Sequence, residues 1–312
     1  MALPAPYAER PSWTRYRDLI AEDFGVRITR TPRESWRPWR GHTLHLDDWL
    51  PEGPPRGTVV LVHGGGGNGR MLAPFGDALS GIGHRCLAPD LPGYGITVTR
   101  PGWQPDYAEW PELVATLADE AAAAGPVALF GLSMGGLTSL WAAQRSGRVR
   151  AVIASTLLDL RRPDTFDASA RFRWLGALTR AGFRALPRLT DRIALPLRLA
   201  TPLERLTTSP RLQRYFLDDP LIGRRRLAAR FFRTSHQYRA PRPDLALPCP
   251  LLLVHPGADA WTPTAMSLPV FEAVPTPKRF RELSTGAHLP LEPPAFDECR
   301  ETVRAFLAET LG

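Results

Sequence analysis

The sequence predicts an α/β fold, in which helices flank a mostly parallel central sheet and a helical segment is inserted in the second half. Short apolar runs alternate with amphipathic helical patterns over much of the chain, as they do in sheets built from β-α-β units. The alternation stops between about 160 and 246, where Arg- and Leu-rich helical sequence is broken by prolines. We therefore expect an N-terminal arm over 1–40, a core over 41–159 and 247–312, and a helical cap over 160–246.

The first half of the core is predicted from apolar spacing and glycine-rich breaks. The run TVVLVH is short, rich in β-branched residues and followed directly by GGGGNG, which is typical of a strand buried on both faces. The expected elements are, in order, a helix over 13–24, an edge strand over 26–31, a strand over 44–49, a strand over 58–63, a helix over 71–79 and a strand over 84–90.

The second half of the core continues the alternation on both sides of the inserted segment. Leucines and alanines between 108 and 124 have helical spacing, which Gly125 and Pro126 end before the apolar run VALFG. The further expected elements are a helix from Ser133 to about 145, a strand over 149–156, a strand over 251–255, a strand over 278–285 and a last helix over 294–311.

Composition argues against some classes of protein. The chain of 312 residues has a formal net charge of +8, and all but one of its 39 basic residues are arginine. No nucleic-acid-binding motif accompanies them, so we interpret them as solvated surface and expect no nucleic-acid partner, with an anionic membrane surface as the minor alternative. The three cysteines have no zinc or disulfide spacing, and no secretory signal or membrane span is visible. A cytoplasmic protein is expected.

The strongest chemical signal is the motif Gly131-Leu132-Ser133-Met134-Gly135, which directly follows an apolar run and precedes a helical one. In this strand-turn-helix context, G-x-S-x-G is typical of a nucleophilic serine on a sharp turn. The residues two before and two after the serine must be small, because the strand and the helix approach closely there. Ser133 is the predicted nucleophile.

A second glycine-rich segment, His63 to Asn68, follows another predicted buried strand. Acyl transfer develops an oxyanion that needs two pre-positioned donors. We predict that these donors are the backbone N–H groups of Gly65 and Met134. A phosphate-binding loop is the rival interpretation, but the segment lacks the lysine of a Walker motif. His63 is expected to brace this loop rather than to titrate in catalysis.

A serine hydroxyl needs a histidine to accept its proton and a carboxylate to orient that histidine. His288 lies in a loop between the last predicted strand and the last helix, where a parallel sheet presents groups toward the nucleophile. Asp259 follows the strand LLLV. The competing candidates are His255, which we interpret as a packing residue, and Asp159, which follows the strand over 149–156.

The order of Ser133, Asp259 and His288 along the chain resembles that of the α/β-hydrolase superfamily. The segment DLPGYG, residues 90–95, is similar to a turn frequent in that superfamily, and the resemblance covers about 40–158 and 247–311. The inserted helices resemble the cap of monoacylglycerol-lipase-like, lysophospholipase-like and carbon–carbon-bond hydrolase members. Because haloalkane dehalogenases and epoxide hydrolases carry aspartate where this chain has serine, those two activities are disfavoured.

The resemblance implies a serine hydrolase that cleaves a carboxylic ester or thioester through an acyl-enzyme, without a metal or organic cofactor. A carbon–carbon-bond hydrolase or cofactor-free lyase or cyclase, and a non-hydrolytic ligand-binding member of the fold, stay open as alternatives. The expected substrate is a small molecule with an apolar acyl group. Residues of the predicted cap that could line its pocket are Phe166, Phe172, Trp174, Leu175, Leu178, Phe183, Phe231 and Phe232.

Overall fold

The computed structural model describes residues 3–312. Its strands are β1 Arg33–Trp39, β2 His42–Trp49, β3 Thr58–Val62, β4 Arg85–Pro89, β5 Val127–Gly131, β6 Val149–Ala154, β7 Ala194–Pro196, β8 Arg226–Ala228, β9 Leu251–His255 and β10 Lys278–Glu282. Its α-helices are α1 Pro11–Phe24, α2 Ala73–Gly81, α3 Glu109–Ala121, α4 Met134–Ser146, α5 Pro163–Ser169, α6 Arg173–Ala185, α7 Pro187–Thr190, α8 Leu197–Ala200, α9 Pro210–Asp218, α10 Ala229–His236, α11 Leu268–Ala273 and α12 Ala295–Thr310.

Eight strands form one sheet in the order β1-β2-β4-β3-β5-β6-β9-β10. The six strands from β4 to β10 run parallel, and β2 is antiparallel to both of its neighbours. Every residue of β3, β5 and β9 is buried, as expected for central strands covered by helices on both faces. The predicted α/β fold with a mostly parallel sheet is confirmed.

The expected edge strand over 26–31 is wrong. These residues have no regular secondary structure, and the edge strand is β1, which pairs with β2 from Arg33 to Trp39. The backbone N–H groups of Thr29 and Arg30 donate to the carboxylate of Asp77, at 3.1 and 2.6 Å, so a side chain takes the place of a strand partner. As a result, residues 33–39 of the predicted arm form part of the main sheet.

The rest of the N-terminal arm lies against both the sheet and the inserted segment. Pro11 starts α1, where its missing N–H costs nothing, and Gly25 ends the helix at a positive φ of 72°. The buried Tyr16 hydroxyl donates to the carbonyl of Met71 at 3.0 Å, and its ring stacks on Tyr215 of α9. The arm therefore connects the core to the helices inserted after β6.

Residues 160–246, which we call the inserted segment, hold α5 to α10 and the two-stranded ribbon of β7 and β8. The segment contacts the core at several loops. The Arg225 guanidinium donates to the carbonyl of Gly95 at 3.0 Å, and the backbone N–H of Leu289 donates to the carbonyl of Leu206 at 2.9 Å. Among residues 3–312, no helix is both long and apolar enough to cross a membrane.

Candidate active site

Ser133 stands at the sharp turn between β5 and α4. Its backbone has φ 56° and ψ −129°, a conformation that a residue with a side chain adopts only when the surrounding structure holds it. The backbone N–H of Gly135 donates to the carbonyl of Leu132 at 2.8 Å, and the N–H of Ser133 donates to Oγ of Ser155 at 3.3 Å. These contacts hold the serine at the carboxyl end of the sheet, where parallel α/β folds place their sites.

The glycines around Ser133 are required by close backbone approach. A Cβ at Gly131 would lie 2.0 Å from the carbonyl oxygen of Gly135, and a Cβ at Gly135 would lie 2.1 Å from that of Val62. A Cβ at Gly64 would lie 2.6 Å from the Cβ of Ser133. The requirement for small residues two before and two after the serine is confirmed, and it extends to the glycine-rich loop after β3.

His63 braces that loop, as the sequence predicts. Its Nδ1 lies 2.8 Å from the carbonyl oxygen of Gly64, and its Nε2 accepts the backbone N–H of Leu91 at 3.1 Å. Because Nε2 is an acceptor, Nδ1 carries the proton and donates to Gly64. Burial lowers the pKa of His63 to about 4. The imidazole is therefore neutral and serves as a fixed bridge between the glycine loop and the turn at 90–95.

Gly65 and Met134, whose backbone N–H groups are the predicted oxyanion donors, lie next to each other. A Cβ at Gly65 would lie 2.8 Å from Sδ of Met134, so this stretch of the glycine loop lies against the residue after Ser133. Met134 is the first residue of α4, and the N–H groups of a first helical turn have no partner inside the helix. The helix dipole also favours negative charge at this end.

His288 and Asp259 meet in a buried pair. Nδ1 of His288 lies 2.8 Å from Oδ2 of Asp259, and both side chains are at least 95% buried. Asp259 also accepts the backbone N–H groups of Trp261 and Thr262 at 2.8 and 2.9 Å, and the Thr262 hydroxyl at 2.7 Å. The carboxylate is therefore anchored in a tight turn that fixes its direction.

The electrostatics of this pair determine where the histidine proton lies. Burial opposes ionisation of Asp259, but the adjacent His288 and the hydrogen bonds from His288 and Thr262 outweigh it and lower the pKa of Asp259 to about 2. An ionised carboxylate can only accept, so Nδ1 of His288 must be the donor. Nε2 of the neutral ring is then unprotonated and able to take up a proton.

Ser133 and His288 line the same small cavity, together with the glycine loop, Trp261 and three apolar side chains of the inserted segment: Leu203, Leu206 and Ile222. Its volume is about 40 Å³. Among residues 3–312, Nε2 of His288 is buried without a hydrogen-bond partner, and no hydrogen bond joins it to Oγ of Ser133. Catalytic hydrogen bonds are often long without substrate and tighten when it binds.

The competing candidates make other contacts. Asp159 forms a two-point ion pair with the guanidinium of Arg161, at 2.8 and 2.7 Å. Nδ1 of His255 lies 2.9 Å from the carbonyl oxygen of Pro256, and burial lowers the pKa of its imidazole. The structure thus brings Asp259, and not Asp159, against His288.

Several supporting residues escaped the sequence analysis. Thr262 and Trp261 fix the carboxylate of Asp259, and an Asp whose side chain accepts N–H groups two and three residues later is a recognisable turn pattern. Glu292 accepts the backbone N–H of Ala287 at 3.1 Å and that of Thr208 at 2.9 Å, so it ties the His288 loop to the inserted segment. Nothing local in the sequence marks that long-range contact.

The apolar residues that the sequence assigned to a substrate pocket separate into three groups. Phe172 and Trp174 are 52% and 65% exposed. Phe231 is buried against Tyr94 and Trp110. The other five line a cavity of about 370 Å³ within the inserted segment: Phe166, Leu175, Leu178, Phe183 and Phe232.

A cluster with metal-ligand spacing lies away from Ser133, where Glu34, His45 and Asp47 come together. The guanidinium of Arg70 forms a two-point ion pair with Asp47, at 2.7 and 2.6 Å, and also contacts Glu34 at 2.9 Å. The carboxylates and Asp90 raise the pKa of His45 to about 9 despite the opposing effect of burial. Arg70 and His45 thus already pair with these acids, and the cluster is a buried ion-pair network.

The family model described as serine aminopeptidase, S33, matches residues 53–294. A monoacylglycerol lipase from Paleococcus ferrophilus is 24% identical, over 86% of this chain and 99% of its own, with a TM-score of 0.67. A soluble variant of the monoglyceride lipase from Saccharomyces cerevisiae is 19% identical, over 90% of this chain and 96% of its own, with a TM-score of 0.73.

An esterase from Thermogutta terrifontis is 22% identical, over 90% of this chain and all of its own, with a TM-score of 0.63. No curated protein sequence matches the chain significantly. At these identities the solved structures support the fold, whereas the family model spans most of the chain. The protein belongs to the serine aminopeptidase S33 family and is a hydrolase of the α/β-hydrolase superfamily.

Proposed function

We propose that the protein cleaves a carboxylic ester or thioester, with Ser133 as nucleophile, His288 as general base and Asp259 as the group that orients the histidine. The observation that carries this proposal is the buried contact between Nδ1 of His288 and Oδ2 of Asp259, at the wall of the cavity that Ser133 also lines. It leaves Nε2 of His288 without a hydrogen-bond partner among residues 3–312, in a ring that lines the same cavity as the serine.

In the first step, Oγ of Ser133 attacks the carbonyl carbon while Nε2 of His288 accepts the hydroxyl proton. The imidazolium that forms is stabilised by the ionised Asp259. Collapse of the tetrahedral intermediate transfers that proton to the leaving alcohol or thiol, and the acyl group stays on Ser133. Water then attacks the acyl-enzyme with His288 again as base, which releases the carboxylic acid and restores the serine.

In this proposal the backbone N–H groups of Gly65 and Met134 donate hydrogen bonds to the negatively charged oxygen of each tetrahedral intermediate. Such donors act without reorganisation in a site that excludes water, and loss of one typically lowers the rate about 10²- to 10³-fold. Two contacts support this assignment because they keep the glycine loop rigid. His63 bonds to the carbonyl of Gly64, and the loop packs closely on Met134 at Gly65. In this proposal the inserted segment acts as a cap that excludes water.

An ester or thioester substrate is favoured over a peptide with a free N-terminus. An aminopeptidase must bind an ammonium group, for which a carboxylate is the usual partner. None of the residues lining the cavity at Ser133 carries a carboxylate, and its surface is almost wholly apolar. The carboxylate of Asp259, which lies against the cavity-lining His288, is occupied by His288 and by the turn that follows it.

A fluorophosphonate probe tests the nucleophile. Wild-type protein should be labelled and should hydrolyse p-nitrophenyl butyrate, and Ser133→Ala should lose both properties. Ser146→Ala, at the far end of α4 and bonded to Asp119 at the surface, should keep both. Stoichiometric labelling of Ser133→Ala would overturn the assignment. Labelling of wild-type protein without turnover of any ester or thioester would favour carbon–carbon-bond or lyase chemistry, or a ligand-binding role.

A further inference from the structure

An open cleft of about 710 Å³ lies where the inserted segment meets the core, between residues 162–174 and 205 on one side and 261–269 on the other. Small-molecule sites usually measure about 300–1,000 Å³. Four arginines and a single carboxylate line the cleft: Arg162, Arg171, Arg173, Arg205 and Asp164. The cleft therefore carries an excess of positive charge, which suits an anionic ligand.

The guanidinium groups of the cleft can reach such a ligand. Among residues 3–312, no carboxylate pairs with Arg173 or Arg205, and Arg205 donates only to the carbonyl of Ala260, at 3.0 Å. Arg162 and Arg171 do form ion pairs, but their acids are at the surface, where such pairs contribute little to stability. A phosphate group, which matches the planar fork of arginine, can bind here without breaking a buried contact.

Two exposed aromatic rings lie on the wall of the same cleft. Phe172 and Trp174 line it and are 52% and 65% exposed. Their rings are nearly parallel, with centroids 6.0 Å apart and 9° between the planes. Flat aromatic faces next to arginines are the surfaces on which proteins stack nucleic-acid bases. A ligand that carries both phosphates and a base, which is a nucleotide, suits this combination.

The cleft adjoins the cavity of the nucleophile. The side chain of Trp261 lines both spaces, and its ring lies 4.7 Å from that of His288, centroid to centroid. The turn over 203–206 also faces both, since Leu203 lines the cavity at Ser133 and Arg205 lines the cleft. That cavity, of about 40 Å³, has room for little more than a water molecule. Most of any substrate must therefore lie outside it.

We propose that the substrate is an acyl thioester of coenzyme A and that this cleft binds its nucleotide. The inference rests on the proposed hydrolysis and narrows it to thioesters. Arg173 and Arg205 pair with the phosphates, and Trp174 stacks on the adenine ring. Attack by Ser133 breaks the C–S bond, and the sulfur takes the proton that His288 received from the serine. Water then hydrolyses the acyl-enzyme, so the products are the free thiol and a carboxylic acid.

The kinetic test compares butyryl-coenzyme A with S-butyryl-N-acetylcysteamine, which has the same thioester but neither phosphate nor base. Wild-type protein should have the higher kcat/KM for butyryl-coenzyme A. Arg173→Gln and Trp174→Ala should each lower the ratio of the two kcat/KM values about tenfold, since one loses a charged hydrogen bond and the other a stacked base. The change should lie in KM for butyryl-coenzyme A, because neither side chain contacts the reacting atoms.

The matched control is Arg184→Gln, because Arg184 is an exposed arginine of the same helix outside the cleft lining. It removes the same charge and should leave the ratio unchanged. Added salt should lower kcat/KM for butyryl-coenzyme A and not for the uncharged thioester, since ionic strength screens exposed charges.

Calorimetric titration with free coenzyme A tests the cleft without an acyl group or turnover. Wild-type protein should bind it, and Arg173→Gln and Trp174→Ala should each raise Kd about tenfold. Absence of binding to wild-type protein at about 1 mM coenzyme A would overturn the inference, whatever esters are hydrolysed.

Two kinetic outcomes would overturn this inference alone, with Ser133-dependent hydrolysis of the short thioester intact. One is an unchanged ratio in both Arg173→Gln and Trp174→Ala. The other is an unchanged ratio together with weaker binding of Arg173→Gln to phosphatidylglycerol vesicles, which would make the cleft a lipid contact. Absence of hydrolysis of every ester and thioester by wild-type protein would instead overturn the proposed function.

Discussion

Replacement of Asp259 by Asn tests the proposed chemistry most directly. The side chain keeps its size, so Oδ1 can still accept the backbone N–H groups of Trp261 and Thr262. The amide NH₂ then faces Nδ1 of His288, where the carboxylate oxygen had accepted a hydrogen bond. Two donors cannot face each other, so the ring shifts to the tautomer that carries its proton on Nε2. That tautomer cannot accept the proton of Ser133.

Two magnitudes follow. A carboxylate-to-amide change at this position of a Ser-His-Asp triad lowers kcat by about 10⁴-fold in the best-studied serine protease. The second concerns stability. The pKa of Asp259 falls from its ordinary value of 3.8 to about 2, and each pKa unit corresponds to about 1.4 kcal/mol. The ionised carboxylate thus adds about 2 kcal/mol to the free energy of unfolding. This contribution is complete above pH 4 and is lost as the pH falls from 3.8 to about 2.

The assay measures kcat and KM for p-nitrophenyl butyrate, and the free energy of unfolding in urea between pH 3 and pH 7. Asp259→Asn should lower kcat about 10⁴-fold with little change in KM, and its stability deficit should shrink toward pH 3. Asp159→Asn is the matched control, because that acid pairs with Arg161 and not with His288. Retention of more than a tenth of wild-type kcat by Asp259→Asn, or an equal loss in Asp159→Asn, would refute the reasoning.

Three further predictions concern the oxyanion donor, the buried ion-pair network and the arm. Gly65→Pro removes a backbone N–H and should lower kcat about 10²- to 10³-fold. Gly65→Ala keeps this donor, and its added methyl group meets only the movable end of the Met134 side chain. Equal kcat values of the two variants in steady-state kinetics would contradict the assignment. Arg70→Ala removes both hydrogen bonds from the buried carboxylate of Asp47 and should lower the free energy of unfolding by about 3–5 kcal/mol in urea titrations. A change below about 1 kcal/mol would show that the network is not stabilising. Tyr16→Phe removes one buried hydrogen bond and should lower the free energy of unfolding by about 1 kcal/mol in urea titrations, with unaltered kcat. A large loss of kcat would mean that α1 acts on the site itself.

The sequence by itself determined the core fold and the candidate nucleophile. Buried strands such as β3 and β5 are short apolar runs that end in glycine, and this local pattern marks both the strand and the turn after it. A Cβ at Gly131 or Gly135 would lie 2.0 or 2.1 Å from a backbone carbonyl oxygen, so the turn requires glycine at both positions, and both lie within two residues of Ser133. His288 and Asp259 could be proposed because the ends of parallel strands meet at one sheet edge.

Tertiary structure alone decided everything that depends on contacts between distant segments. The residues 26–31 have a strand-like sequence, but Asp77 takes up their backbone donors. The apolar residues of the inserted segment divide into exposed, packed and cavity-lining groups, which one-dimensional spacing cannot separate because all three share the same composition. The indole of Trp261, beside the ring of His288, is held by a bond to the carbonyl of Ser169, 92 residues earlier in the chain. Local patterns encode elements and turns, whereas pockets form only where several elements pack together.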